Sequence, residues 1–83
     1  MCASPLALQA HKVGLNKCLT SYPCLKDDLK GNYSYRDETV VVDDNLVTSR
    51  GPGTATHFAL RIAELLVGEA KSKEVAQGIL FAA

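Results

Sequence analysis

Thr48-Ser49-Arg50-Gly51-Pro52-Gly53-Thr54 is the stretch that decides the reading of this chain. Thr48 and Ser49 close a β-branched run, two glycines around a proline turn the backbone, and a helical pattern begins at Thr54. Strand–loop–helix corners of this kind are where α/β proteins place their chemistry. A second corner stands at Cys2-Ala3-Ser4-Pro5. Ser4 reads as an N-cap and Pro5 as the first helical residue, where a missing N–H costs nothing.

Outward from the first corner, Thr39-Val40-Val41-Val42 is strand-like, Asp43-Asp44-Asn45 is turn chemistry and Leu46–Ser49 returns, so a β-hairpin is predicted over Thr39–Ser49. Downstream, Phe58, Ile62, Leu65 and Leu66 form an apolar stripe, with Arg61 and Glu64 outside it. They predict a helix over Thr54–Val67, ended by Gly68 and capped by Thr54 or Thr56. A last helix should start near Ser72, with Val75, Ile79 and Leu80 on one face. Upstream, Leu6, Ala7, Ala10 and Val13 predict a helix over Ser4–Val13, with Gly14 as its stop. Lys17–Thr20 is a short strand, and Cys24–Lys30 a brief charged helix ending at Gly31. Apolar helices in an α/β protein need a sheet to cover, and these strands supply too little of one. Further strands are expected upstream or from another chain.

With 83 residues there is room for one small domain and a modest core. Nine basic and nine acidic residues cancel, which leaves no electrostatic footprint for nucleic acid or an anionic membrane. Apolar runs such as Leu65-Leu66-Val67 are too short to span a bilayer. No basic-then-apolar signal precedes Cys2, so a soluble, cytoplasmic protein is expected. Cys2, Cys18 and Cys24 are an odd count with no CxxC pair, and His11 and His57 complete no zinc pattern. Free thiols, no metal and no organic cofactor are the expectation.

A cysteine at a helix N-terminus meets unsatisfied N–H groups and the positive end of the helix dipole, which favour its thiolate. The N–H just after it can hold a developing oxyanion, as in a nucleophile elbow. Cys18 alternates with Leu19 in a strand and is expected to be buried and inert. Cys24, beside Pro23, is an accessible secondary thiol. His11, more than two turns along its helix, should not reach Cys2 and is expected to pack or cap. His57 should face solvent.

Cys2-Ala3-Ser4-Pro5-Leu6-Ala7-Leu8 and the Ser49–Thr54 loop together resemble the ThiJ/PfpI family, in the branch of the Parkinsonism-associated deglycase. The resemblance runs from Cys2 to Leu80, over the C-terminal half of that family's domain. It implies an α/β fold, the C-terminal half of a flavodoxin-like three-layer sandwich of the class I glutamine amidotransferase type, with residues 1–83 a partial domain. It makes Cys2 the nucleophile and oxidisable thiol, and gives the Ala3 N–H to the oxyanion hole. Tyr22 falls at the family's histidine position, and Gly51 and Pro52 wall the pocket. Tyrosine, with an ordinary pKa near 10, is a poor base at neutral pH, and Ala3 stands where the family's peptidases carry histidine, so a Cys-His protease dyad is disfavoured.

The function implied is that of a cysteine-dependent glyoxalase or protein deglycase acting on methylglyoxal or glyoxal adducts, homodimeric when whole. The alternatives are a redox-sensing, chaperone-like protein without turnover and an inactive truncated module. The family's glutamate beside the thiol and its glycine-rich oxyanion loop lie in the half not present, so this chain alone is expected to be catalytically weak.

Overall fold

The computed structural model describes residues 1–81. Its elements run α1 (Pro5–Ala10), β1 (Cys18–Leu19), a 3-10 turn (Pro23–Leu25) into α2 (Lys26–Leu29), then β2 (Ser34–Tyr35). They continue with β3 (Val40–Asp43), β4 (Leu46–Ser49), a 3-10 turn (Pro52–Thr54), α3 (Ala55–Val67) and α4 (Glu69–Gly78). β1 and β2 pair in parallel, Cys18 opposite Ser34 and Leu19 opposite Tyr35. The short helical segment crosses between them, as a parallel pair requires. The predicted hairpin is present as an antiparallel β3–β4 pair from Val40↔Ser49 to Asp43↔Leu46.

Side chains of the hairpin satisfy the backbone of β1. The Cys18 N–H donates to Asp43 Oδ2 at 2.7 Å, and the buried Thr20 N–H donates to Thr48 Oγ1 at 2.9 Å. Leu19, Leu29 and Tyr33 form the core, against which Leu6, Leu8, Leu25, Tyr35 and Leu46 pack. One cluster thus gathers α1, both parallel strands, α2 and the hairpin. Tyr33 keeps its hydroxyl satisfied by donating to the Val13 carbonyl at 2.8 Å, and burial pushes its phenol pKa up.

Several boundaries differ from the sequence expectation. α1 ends at Ala10, not Val13, because Lys12 takes the left-handed conformation (φ 55°) expected of a helix-terminating glycine. Its N–H donates to the Gln9 carbonyl and that of Val13 to the Leu8 carbonyl, which is a Schellman stop. Gly14 follows with its own positive φ, two residues too late to be the cap. Ser4 is itself helical in conformation and turns its hydroxyl to the Met1 carbonyl instead of capping α1. α4 begins at Glu69, directly after Gly68 (φ 97°), and not at Ser72. Ser72 is buried inside that helix and donates to the Leu60 carbonyl at 2.9 Å, fastening α4 to α3. β2 has no counterpart in the expectation, since two residues are too few to show an alternating pattern.

The shortage of sheet is visible in α3. It runs almost as predicted, yet none of its residues is buried, and Leu65, Leu66 and Val67 are 48%, 77% and 62% exposed. Its amphipathic face therefore lacks the cover for which it is patterned. No helix among the described residues is long and apolar enough to cross a membrane.

Two outcomes follow for stability, both read from urea or thermal melts by circular dichroism. Leu19→Ala removes the centre of the one apolar cluster and should cost about 2–5 kcal/mol, enough to unfold so small a chain. Lys12→Gly relieves a left-handed lysine on the surface and should stabilise by about 0.5–1 kcal/mol. The uncovered α3 face should bind a hydrophobic dye and drive concentration-dependent association, measured by light scattering; Leu66→Glu should reduce both.

Candidate active site at the Cys2 corner

Cys2 lies three residues before α1, half-buried, with φ at 57°. Left-handed backbone is unfavourable for any residue with a Cβ and persists where surrounding contacts hold it. The contact is supplied from the segment after β1: the Tyr22 N–H donates to the Cys2 carbonyl at 3.1 Å. The Ala3 N–H donates to no group among the described residues.

Tyr22, three residues beyond β1, stands at the N-cap position of the 3-10 turn that begins with Pro23. Its ring packs on Gly51, where an added Cβ would lie 3.6 Å from the ring carbon. The structure thus brings three of the five sequence-nominated residues, Cys2, Tyr22 and Gly51, into one contiguous group, with Ala3 adjoining. Pro52 opens the next 3-10 turn and is exposed. Gly51 is extended (φ 179°), so it serves close packing against Tyr22 and not an unusual backbone angle. Nothing lies within 4 Å of a Cβ built on Gly53, so no close approach there calls for a glycine.

The loop is held from within. Thr54 Oγ1 accepts from the Arg50 and Gly51 N–H groups, both at 3.2 Å, and lies 2.6 Å from Ser49 Oγ. Ser49 donates to the Thr39 carbonyl at 2.6 Å, and Thr54 Oγ1 donates to the Gly51 carbonyl at 3.1 Å. Thr54 stands at the N-cap position of α3, as the sequence allowed, but makes no side-chain cap bond to that helix, because its hydroxyl is used within the loop.

Behind Tyr22 lies a polar cluster that no sequence pattern announced. Arg50 donates from Nε to the Ser21 carbonyl at 3.1 Å. Its terminal nitrogen reaches Tyr35 Oη at 3.3 Å and Asp37 Oδ1 at 3.2 Å. Tyr35 Oη lies 2.9 Å from Ser21 Oγ, and Lys26 pairs with the other side of Asp37 at 2.8 Å. Burial pushes the Tyr35 phenol up, but hydrogen bonds from Ser21 and Arg50 and the Arg50 charge outweigh it and leave its pKa below the ordinary value. Asp37 is held low first by its hydrogen bond to Lys26 and then by Arg50. The one sequence signal for it is the basic side chain that directly follows the strand end at Ser49.

The other thiols differ from one another. Cys18 is not buried as expected: it is half-exposed, and Arg36 donates to its Sγ at 3.6 Å. Cys24 is exposed. His11 is exposed at the C-cap of α1, and His57 is exposed with its ring edge-on to Phe81 at 4.9 Å. Two surface clefts, of about 370 and 640 Å³, lie against α3 and touch none of the Cys2 group.

A family model described as the DJ-1/PfpI family matches residues 1–65. The protein dj-1beta of Drosophila melanogaster is 58% identical over 83 residues, which are 99% of this chain and 44% of that protein. A Caenorhabditis elegans protein named glutathione-independent glyoxalase DJR-1.2 is 37% identical over 82 residues, 99% of this chain and 44% of its own length. The crystal structure of Drosophila DJ-1beta superposes with a TM-score of 0.94 at 58% identity, over 99% of this chain and 45% of that one. The chain thus spans less than half the length of the relatives it matches. Its α/β class is that of the flavodoxin-like DJ-1 fold, and the chain belongs to the DJ-1/PfpI family.

Proposed function

We propose that the chain is the cysteine-bearing part of a cofactor-independent glyoxalase or protein deglycase, acting on methylglyoxal, glyoxal or their protein adducts through Cys2. The observation that carries this reading is the left-handed Cys2 three residues before α1, supported by Tyr22 and followed by an Ala3 N–H that donates to no group among the described residues. The worm relative's name, a glutathione-independent glyoxalase, favours the same class of reaction.

In this reading the Cys2 thiolate forms a bond to the aldehyde carbon, and the carbonyl electron pair moves to oxygen, where the Ala3 N–H receives it. The hydrogen of that carbon leaves as a proton and is returned at the neighbouring carbon, turning the hemithioacetal into a thioester. Water then cleaves the thioester, giving lactate from methylglyoxal or glycolate from glyoxal and restoring the thiol. Tyr22 stands where the family carries histidine, and Gly51 and Pro52 form the wall behind it. The intact protein is read as a homodimeric cytoplasmic stress protein with an oxidisable Cys2.

A chimera carrying these 83 residues in place of the matching part of the Drosophila protein tests the reading. It should convert methylglyoxal to lactate without glutathione, and Cys2→Ser should abolish turnover, a loss of at least about a thousandfold. Tyr22→His should raise kcat by roughly tenfold or more by supplying a better proton carrier. A chimera with native circular dichroism, no turnover and an inert Cys2 would overturn the proposal. The 83-residue chain alone should give no lactate above the Cys2→Ser background, because a nucleophile without its acid partner keeps little transition-state stabilisation.

A further inference from the structure

We propose that Arg50 is the positioning residue of the Cys2 corner, holding Ser21 so that Tyr22 sets the Cys2 backbone, an assignment that rests on Cys2 being the nucleophile. Three segments meet at the guanidinium: the loop after β4, the segment after β1 and the segment from β2 to Asp37. Its Nε–H fixes the Ser21 carbonyl at 3.1 Å, while the other end of the fork is anchored by Tyr35 and Asp37 at 3.3 and 3.2 Å. Ser21 Oγ donates onward to the Tyr22 carbonyl at 3.0 Å and lies 2.9 Å from the Tyr35 hydroxyl, which itself donates to the Ser21 carbonyl at 3.3 Å. The next amide, that of Tyr22, holds the Cys2 carbonyl at 3.1 Å.

The circuit closes through the residue after Arg50, since Gly51 carries the Tyr22 ring. Tyr22 is therefore gripped on its backbone side by the Arg50 side chain and on its ring by the Arg50–Gly51 backbone. Such a grip needs a planar fork that donates in two directions at once, which lysine cannot reproduce in full. The Arg50 side chain is 20% exposed and its charge is met by Asp37. A left-handed cysteine depends on support of this kind, and displacement of the elbow by about 1 Å is enough to cost a nucleophile much of its reactivity.

The test uses the 83-residue chain with limiting iodoacetamide, and mass spectrometry of the peptides carrying Cys2 and Cys24. The exposed Cys24 is the internal reference for an unassisted thiol. The wild type should alkylate Cys2 faster than Cys24, by about tenfold. Arg50→Gln should bring the ratio towards one, and Arg50→Lys should restore part of it. Ultraviolet titration of the phenols reports the same contact independently: Tyr35 should ionise before Tyr33, and Arg50→Gln should delay it. The folded protein releases the Tyr35 proton earlier than the unfolded chain does. Its ionisation therefore stabilises the fold as pH rises towards about 10, fully above that value and not at neutrality.

A wild-type ratio near one overturns the role of Cys2. A high wild-type ratio that Arg50→Gln leaves unchanged, while the Tyr35 titration moves, overturns the role of Arg50 alone. Should Arg50→Gln unfold the chain, Tyr35→Phe and Asp37→Asn each remove one distal anchor and leave the arginine in place. Each should lower the ratio by roughly twofold or more, and two unchanged ratios would again overturn the assignment.

Discussion

Burial of Leu19 is the constraint on which the rest of the molecule depends. It is fully enclosed on β1, and the side chains that enclose it come from α1, the segment around α2, β2 and the hairpin. Full burial of one leucine is worth about 1.5–3 kcal/mol, and the cluster contains few residues of its kind. Cys18 and Thr20, its neighbours in sequence, are tied to Asp43 and Thr48 by their N–H groups. A single short strand therefore fixes where the hairpin lies, and the hairpin fixes where its exit at Arg50 begins.

So small an apolar core leaves much of the positioning to polar groups. Around Tyr22 the chain uses a guanidinium, a carboxylate, a phenol and three hydroxyls. Hydrogen bonds of this type gain little net stability in water, but an unmade one in a partly buried place costs more than a made one gains. The consequence is directional rigidity without bulk. The Thr54 and Ser49 hydroxyls, with the Thr39 carbonyl, give the glycine loop a fixed course even though the backbone at Gly51 adopts an ordinary extended angle. Specific geometry at Cys2 is thus obtained from a scaffold with little enclosed volume.

The hairpin, α3 and the two corners were legible because each rests on a repeated local pattern or a glycine-proline signal. The α/β class and the deficit of sheet were legible for the same reason: apolar faces were counted against strands. β2 was not, because two residues carry no periodicity and Ser34–Tyr35 becomes a strand by pairing with β1. The end of α1 was misplaced because glycine was expected at the left-handed position, and Lys12 occupies it. Ser72 was read as a helix start because serine caps helices, whereas its hydroxyl is spent on the Leu60 carbonyl of the preceding helix. At the site, Cys2, Ala3, Tyr22 and Gly51 were named from motif resemblance. Arg50, Tyr35, Asp37 and Ser21 were not assigned roles, since their association spans up to 29 positions and no local rule connects them.

The division of labour within the chain explains why the ordered Cys2 corner and an uncovered helix occur together. Among the described residues, the Cys2 carbonyl is held from the segment after β1, and the loop before α3 packs on Tyr22. α3 leaves that corner with an apolar stripe and no buried residue, and the chain spans 44% of the length of its fly relative. Backbone geometry at a nucleophile can be set locally, because hydrogen bonds act at short range. Transition-state stabilisation cannot, because it needs donors and proton carriers converging on the substrate from several sides.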